Sequence, residues 1–230
     1  MNLISGSLGV ISCLGGHFQT AFLFMLASAV FDFFDGMSAK ALGVASDIGK
    51  ELDSLADVVS FGVLPSLMLF SLMRGEGAGW TMYVPLVLAA FSALRLAKFN
   101  LDERQHDSFI GLATPSAAMI CGSLTCYAES CGTGSRIMDL CSSPWFLPLL
   151  AVVLSALLVS EIPMFAMKMS KSGTPRRTVV LRIVFFALSA AAALCVLIFR
   201  GHWSLVVLAA FVIYIMVNVC ALPGHRAGRA

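Results

Sequence analysis

The stretch FDFFDGMSAKALGVASDIGKELDSLADVVSFG, residues 31–62, sets four aspartates, Asp32, Asp35, Asp53 and Asp57, against the ends of two hydrophobic runs. Asp32 and Asp35 are three residues apart and Asp53 and Asp57 four, so each pair shares one face of a helix. An aspartate at the middle of a membrane helix costs about 3 kcal/mol, less near the interface, so four cost up to roughly 10 kcal/mol without compensation. A divalent cation held between two facing pairs offsets that cost. Carboxylate oxygens suit Mg2+ or Mn2+, which keep open positions for phosphate oxygens. Gly36, Ala39 and Gly49 lie on the same stretch, and their missing or minimal side chains let a bulky ligand approach the backbone. The pattern describes a cation, a phosphate and a flat nucleotide. The competing reading is a solvated interhelical turn in which Lys40 and Lys50 partner the acids. It suits Asp47 and Glu51 better than Asp53 and Asp57, which run directly into the apolar stretch 58–70.

Outward from this segment, the 230 residues are 59% hydrophobic and 12% charged, where a soluble domain carries roughly a quarter charged residues. Mean hydropathy is +0.90. Apolar segments at 18–34, 52–73, 80–96, 110–127, 145–167, 179–199 and 203–222 read as membrane helices. Residues 2–14 are apolar too, but short for a span, and they read as the remainder of a first helix. The expected fold is therefore an all-α, polytopic transmembrane helix bundle. The polar connections 101–109, 128–143 and 169–178 are too short to bury a core of their own. If residues 35–51 are cytoplasmic, twelve of the 15 Lys and Arg fall on that side, leaving Arg74, Arg136 and Arg200 outside, as the positive-inside rule requires. A net charge of +2, without basic runs interleaved with aromatics, excludes a nucleic-acid surface. The seven cysteines have neither CxxC pairs nor zinc spacing and read as small packing residues; Cys131 and Cys141, in one polar loop, are left as a possible pair.

Residues 32–57 fit the pattern D-x2-D-G-x2-A-R-x8-G-x3-D-x3-D at seven of eight fixed positions: Asp32, Asp35, Gly36, Ala39, Gly49, Asp53 and Asp57. At the eighth, Lys40 replaces arginine, keeping the charge but losing a bidentate grip on phosphate. This resembles the signature of the CDP-alcohol phosphatidyltransferases. The blocks GKELDSLADVVSFGVLPS (49–66), RLAKFNLDERQ (95–105) and FIGLATPSAA (109–118), with a weaker echo in ALLVSEIPMFAMK (156–168), are most like the bacterial phosphatidylserine synthases. The resemblance implies a core of six helices within residues 1–168, two additional helices in 169–230, a homodimer, and a cavity facing the cytoplasm from a bacterial inner membrane. The family's usual basic opening segment has no counterpart, so the first helix is expected to lack its start, and Asn2 and Ser5 are not expected to touch ligand.

The implied reaction joins L-serine to the phosphatidyl group of CDP-diacylglycerol and releases CMP. On that reading Asp32, Asp35, Asp53 and Asp57 hold Mg2+ or Mn2+, and Asp57 is also the base for the serine hydroxyl. Gly36, Ala39, Lys40 and Gly49 bind the CDP-lipid. Arg95 and Asn100 are the candidates for the serine carboxylate and ammonium; Lys98 and Arg104 are read as contacts with anionic headgroups of membrane lipids or as ordinary positive-inside charges. Thr114 is expected to cap a helix that Pro115 opens. Glu161, beside Pro163 in a membrane helix, is left open between supporting the cavity and pairing with a cation. The four histidines lack nucleophile partners. Two alternatives stand beside this reading. A sibling enzyme for glycerol 3-phosphate or an inositol phosphate needs a denser basic cluster, and a cation or proton transporter needs acids at successive depths.

Overall fold

The computed structural model describes residues 1–42, 46–75, 79–101, 109–132, 135–164 and 176–220. Helices α1 (Asn2–Leu14) and α2 (Phe18–Leu42) form a hairpin through Gly15–His17. Helix α3 (Asp47–Asp57) starts at Ser46, whose hydroxyl accepts the Gly49 amide at 3.1 Å, a side-chain cap for an otherwise orphaned N–H. α3 passes into a π-helical turn (Val58–Val63) and then α4 (Leu64–Gly75), so the second aspartate pair sits on a continuous rod that widens just after Asp57. A 3-10 segment (Gly79–Leu86) containing Pro85 leads into α5 (Val87–Leu101). Then follow α6 (Thr114–Cys131), α7 (Arg136–Ser142), α8 (Phe146–Val159), α9 (Arg176–Ile198) and α10 (Ser204–Cys220).

The chain is an all-α polytopic bundle. Phe18–Ser38, Ile48–Arg74, Gly79–Leu101 and Val179–Ile198 are long and apolar enough to cross a bilayer, and α1, α8 and α10 are shorter apolar helices. Helix α6 is the axis: it touches α2, α4, α5, α7, α8, α10 and the π turn. Its central position explains its composition, because a helix surrounded by protein needs small residues for close approach where a lipid-facing one needs bulk. Ala117, Ala118, Cys121, Gly122, Ser123 and Thr125 are all buried, and the Thr125 hydroxyl is satisfied by its own helix at Cys121 O. Helix α9 is the opposite case, packed chiefly on α10, with Ile183, Phe186, Leu194 and Leu197 exposed, as a lipid-facing surface requires. The first helix crosses the π turn closely: a Cβ on Gly6 would run into the Ser60 side chain and come 3.0 Å from its Cα.

Two expectations are corrected, and one open question about a cysteine pair is answered. The span expected over 145–167 ends as a helix at Val159, and residues 163–164 form a two-residue strand β2 (Pro163–Met164) antiparallel to β1 (Phe109–Ile110). Pro163 has no amide to continue a helix and biases its predecessor to extended backbone. Gly111, in the left-handed region at φ +79°, turns the chain so that its amide bonds Ile162 O and the Leu112 amide bonds Leu157 O, both at 2.9 Å. Glu161 consequently lies outside any helix and is exposed. Thr114 is the first helical residue and not the cap, which falls at Ala113; Pro115 does occupy the first turn. Cys131 and Cys141 are free thiols, and burial beside Cys131 pushes the Cys141 thiol up to about 11, which keeps it protonated and unreactive.

Candidate active site

The four aspartates come together where α2 and α3 meet, under the start of α1. Asp32 and Asp53, from different helices, stand with their carboxyl groups within hydrogen-bonding reach of each other. Asp35 and Asp57 lie in electrostatic range of that pair. Asp35 is exposed, and its Oδ2 accepts from the Met1 amino group at 3.3 Å. Asp57 is part-buried one turn after Asp53, and its Oδ1 accepts a hydrogen bond from Asn2 Nδ2 at 2.8 Å. Among the described residues no Lys or Arg side chain forms an ion pair with any of the four. Of the two lysines in the solvated-turn reading, Lys50 donates its Nζ to the Asn100 carbonyl at 3.4 Å, and the Lys40 side chain lies outside the described residues.

Two carboxylates pressed together without a counter-ion repel, and a cation is the usual remedy. The donor set is chemically right for Mg2+ or Mn2+. Among the described residues no three carboxylate, histidine or cysteine groups converge to enclose an ion by themselves. Asp57 is drawn toward α1 and Asp35 is exposed, so Asp32 and Asp53 are the two that would hold an ion, and Mg2+ tolerates so few protein ligands because it keeps several waters. The residues fit the ion as an open site, not as a closed four-aspartate cage.

Gly36 borders open space: a Cβ there would meet nothing within 4 Å, so the α2 surface beside Asp35 is free for a ligand. At Gly49 a Cβ would stand 3.1 Å from Ser46 Oγ, so this glycine also serves the helix cap. Ala39 and Lys40 fall in the last turn of α2, and their side chains lie outside the described residues, as does Arg104.

Arg95 is 8% exposed, and its Nη1 donates to Thr114 Oγ1 at 3.0 Å while the guanidinium lies 5.7 Å from the Phe99 ring centroid. Its Nε is buried without a hydrogen-bond partner. It lies in electrostatic range of Asp57 and of Tyr214, which α10 supplies. A buried arginine beside the aspartates is more than a snorkelling one. Asn100 is placed differently: its amide donates to Ser54 Oγ at 2.9 Å and Glu51 Oε1 at 3.3 Å, latching α5 to α3.

Three participants escaped the sequence reading. Asn2 touches Asp57 directly, Thr114 anchors Arg95, and Tyr214 reaches the site from the last described helix. No local signal marks the first two, because each contact joins residues far apart in the chain. The π turn after Asp57 is equally silent in an apolar run, although such turns recur at functional sites.

Residues 1–159 of this bundle, the paired aspartates included, match the CDP-alcohol phosphatidyltransferase family, and the chain belongs to it. Among its relatives, the CDP-diacylglycerol–serine O-phosphatidyltransferase of Bacillus subtilis is 39% identical over 118 residues, covering 51% of this chain and 67% of the relative. The enzymes of the same description from Mycobacterium tuberculosis H37Rv and Helicobacter pylori J99 are each 35% identical, the first over 76% of this chain and 61% of its own length, the second over 52% and 51%. The matched stretches thus span between about half and two thirds of these relatives.

Proposed function

We propose that this protein transfers the phosphatidyl group of CDP-diacylglycerol to the hydroxyl of L-serine, giving phosphatidylserine and CMP. The observation that carries the proposal is the junction of α2 and α3, where Asp32 meets Asp53 with Asp57 one turn further on and open space over Gly36. The names of the relatives support the choice of substrates.

Asp32 and Asp53 hold a divalent cation, Mg2+ or Mn2+, with Asp35 and Asp57 at its margin; when bound it supplies neutralisation of the pyrophosphate charge. The open face at Gly36, with Ala39, Lys40 and Gly49, receives the CDP moiety. Asp57 takes the proton of the serine hydroxyl, whose oxygen forms the new bond to the lipid-linked phosphorus as the bond to CMP breaks. Arg95 takes the serine carboxylate, and its buried, incompletely bonded guanidinium has donors for it. Among the described residues it is the cation in electrostatic range of Asp57, which favours an acceptor with one carboxylate over one bearing a phosphate. Asn100 acts by holding α3 in place beside the site. Residues 1–168 form the catalytic core and 169–230 an addition to it. The protein works as a homodimer in the bacterial inner membrane, with this site facing the cytoplasm.

The test is purified protein in detergent with CDP-diacylglycerol, Mg2+ or Mn2+, and labelled serine, glycerol 3-phosphate or inositol phosphate in separate reactions. Phosphatidylserine and stoichiometric CMP are expected, lost on chelation and restored by the ion. Product from glycerol 3-phosphate and none from serine overturns the assignment.

A further inference from the structure

We infer that Asn2 is a positioning residue for the transfer step, tying one oxygen of Asp57 so that the other is presented to the acceptor hydroxyl. The inference rests on the proposed role of Asp57 as base. Asn2 is 3% exposed, and its Nδ2 donates to Asp57 Oδ1 at 2.8 Å across 55 positions of sequence. The residue has little freedom to move. Its carbonyl accepts from Ser28 Oγ on α2 and from Ser60 Oγ in the π turn, both at 3.3 Å. One turn on, Ser5 Oγ donates to Phe24 O at 2.8 Å, and Gly6 presses against Ser60. Helix α1 is thus registered against both elements that carry the aspartates.

The choice of donor is informative. A single amide N–H donates to one carboxylate oxygen and leaves the other unoccupied, so the bond at 2.8 Å fixes which oxygen of Asp57 faces the acceptor. Donation to an acceptor-only carboxylate also settles the amide orientation, which leaves Asn2 Oδ1 buried with no partner. With Oδ1 of Asp57 occupied, Oδ2 receives the proton as the acceptor O–H bond breaks, the acceptor oxygen bonds to phosphorus, and CMP departs with the electron pair of the cleaved P–O bond.

The experiment compares full-length wild type, Asn2→Leu, Asn2→Ala and Asp57→Asn, with steady-state kinetics in serine and direct CDP-diacylglycerol binding in detergent. For Asn2→Leu, kcat is expected to fall about 10- to 100-fold, the size seen when a residue orienting a catalytic group is lost, while CDP-diacylglycerol affinity and the serine KM stay within about twofold. Wild-type kcat in Asn2→Leu, or a matching loss of CDP-diacylglycerol binding, overturns the inference. If Asn2→Leu does not elute as a folded species, Asn2→Ala, which also removes the donor but leaves less bulk to accommodate, is judged by the same criteria. Inactive Asp57→Asn beside fully active Asn2 variants sinks this inference alone; active Asp57→Asn sinks the base assignment and the inference with it.

Discussion

Asp57 and Asp53 sit one helical turn apart yet face different surroundings, and on the proposed mechanism that difference gives them different tasks. Asp53 is exposed and meets Asp32, whereas Asp57 is part-buried, bonded to Asn2 and in range of Arg95. Asp57→Asn is therefore expected to lower turnover by about 10²- to 10⁴-fold, the usual worth of a general base, with CDP-lipid binding largely intact. Asp53→Asn is expected to raise the ion concentration for half-activation about tenfold or more and to weaken CDP-lipid binding with it. Metal titrations and equilibrium binding on both variants distinguish the two, and equal, wild-type-like turnover dismisses the division of labour. Arg95→Lys keeps a charge but gives up the fork that reaches Thr114, so the serine KM is expected to rise about tenfold with the CDP-lipid KM unchanged. A rise in the CDP-lipid KM instead would place Arg95 on the nucleotide side.

At the scale of the element, the crossing of α1 with the π turn governs how well the site is assembled. Gly6 has no room for a Cβ against Ser60, and Ser60 in turn holds the Asn2 carbonyl. Gly6→Ala is expected to cost about 1–3 kcal/mol by overpacking and to lower the thermal midpoint in detergent. Gly36→Ala, where a Cβ meets only open space, is expected to leave that midpoint within a degree or so of wild type. Differential scanning fluorimetry of the two variants side by side checks this, and an unchanged midpoint in Gly6→Ala contradicts the tight crossing. Helix α1 was legible from hydropathy and begins and ends at the residues expected, whereas the span expected at 80–96 opens as the 3-10 segment Gly79–Leu86. The end of α8 was not legible: the run 145–167 is apolar enough for one span, and only the pairing of residues 163–164 with 109–110 shows where the helix gives way.

Across the whole molecule, the layers follow from who faces lipid. α6 lies at the centre and is rich in small and hydroxyl residues, α9 lies at the edge and is bulky and exposed, and α10 joins the two while carrying Tyr214 to Arg95. On the proposed orientation, Ile48 at the start of α3 faces the cytoplasm and Arg200, between α9 and α10, the other side. With the native cysteines replaced, Ile48→Cys is expected to react with an impermeant maleimide only in inverted vesicles and Arg200→Cys only in right-side-out ones. The reverse pattern would invert the topology and move the site away from cytoplasmic CDP-lipid.

Sequence alone was enough to establish a polytopic helix bundle with four aspartates gathered at one level, because hydropathy and residue spacing are local properties written along the chain. It also carried the spaced signature through which the family is recognised. The tertiary structure decided that Asp57 answers to Asn2, that Arg95 is buried against Thr114, that Asn100 is spent on α3, and that Glu161 stands outside a helix. Each of these depends on how two distant helices cross, and a crossing is set by which small residues let backbones approach, a property of pairs of surfaces that no single stretch of sequence contains.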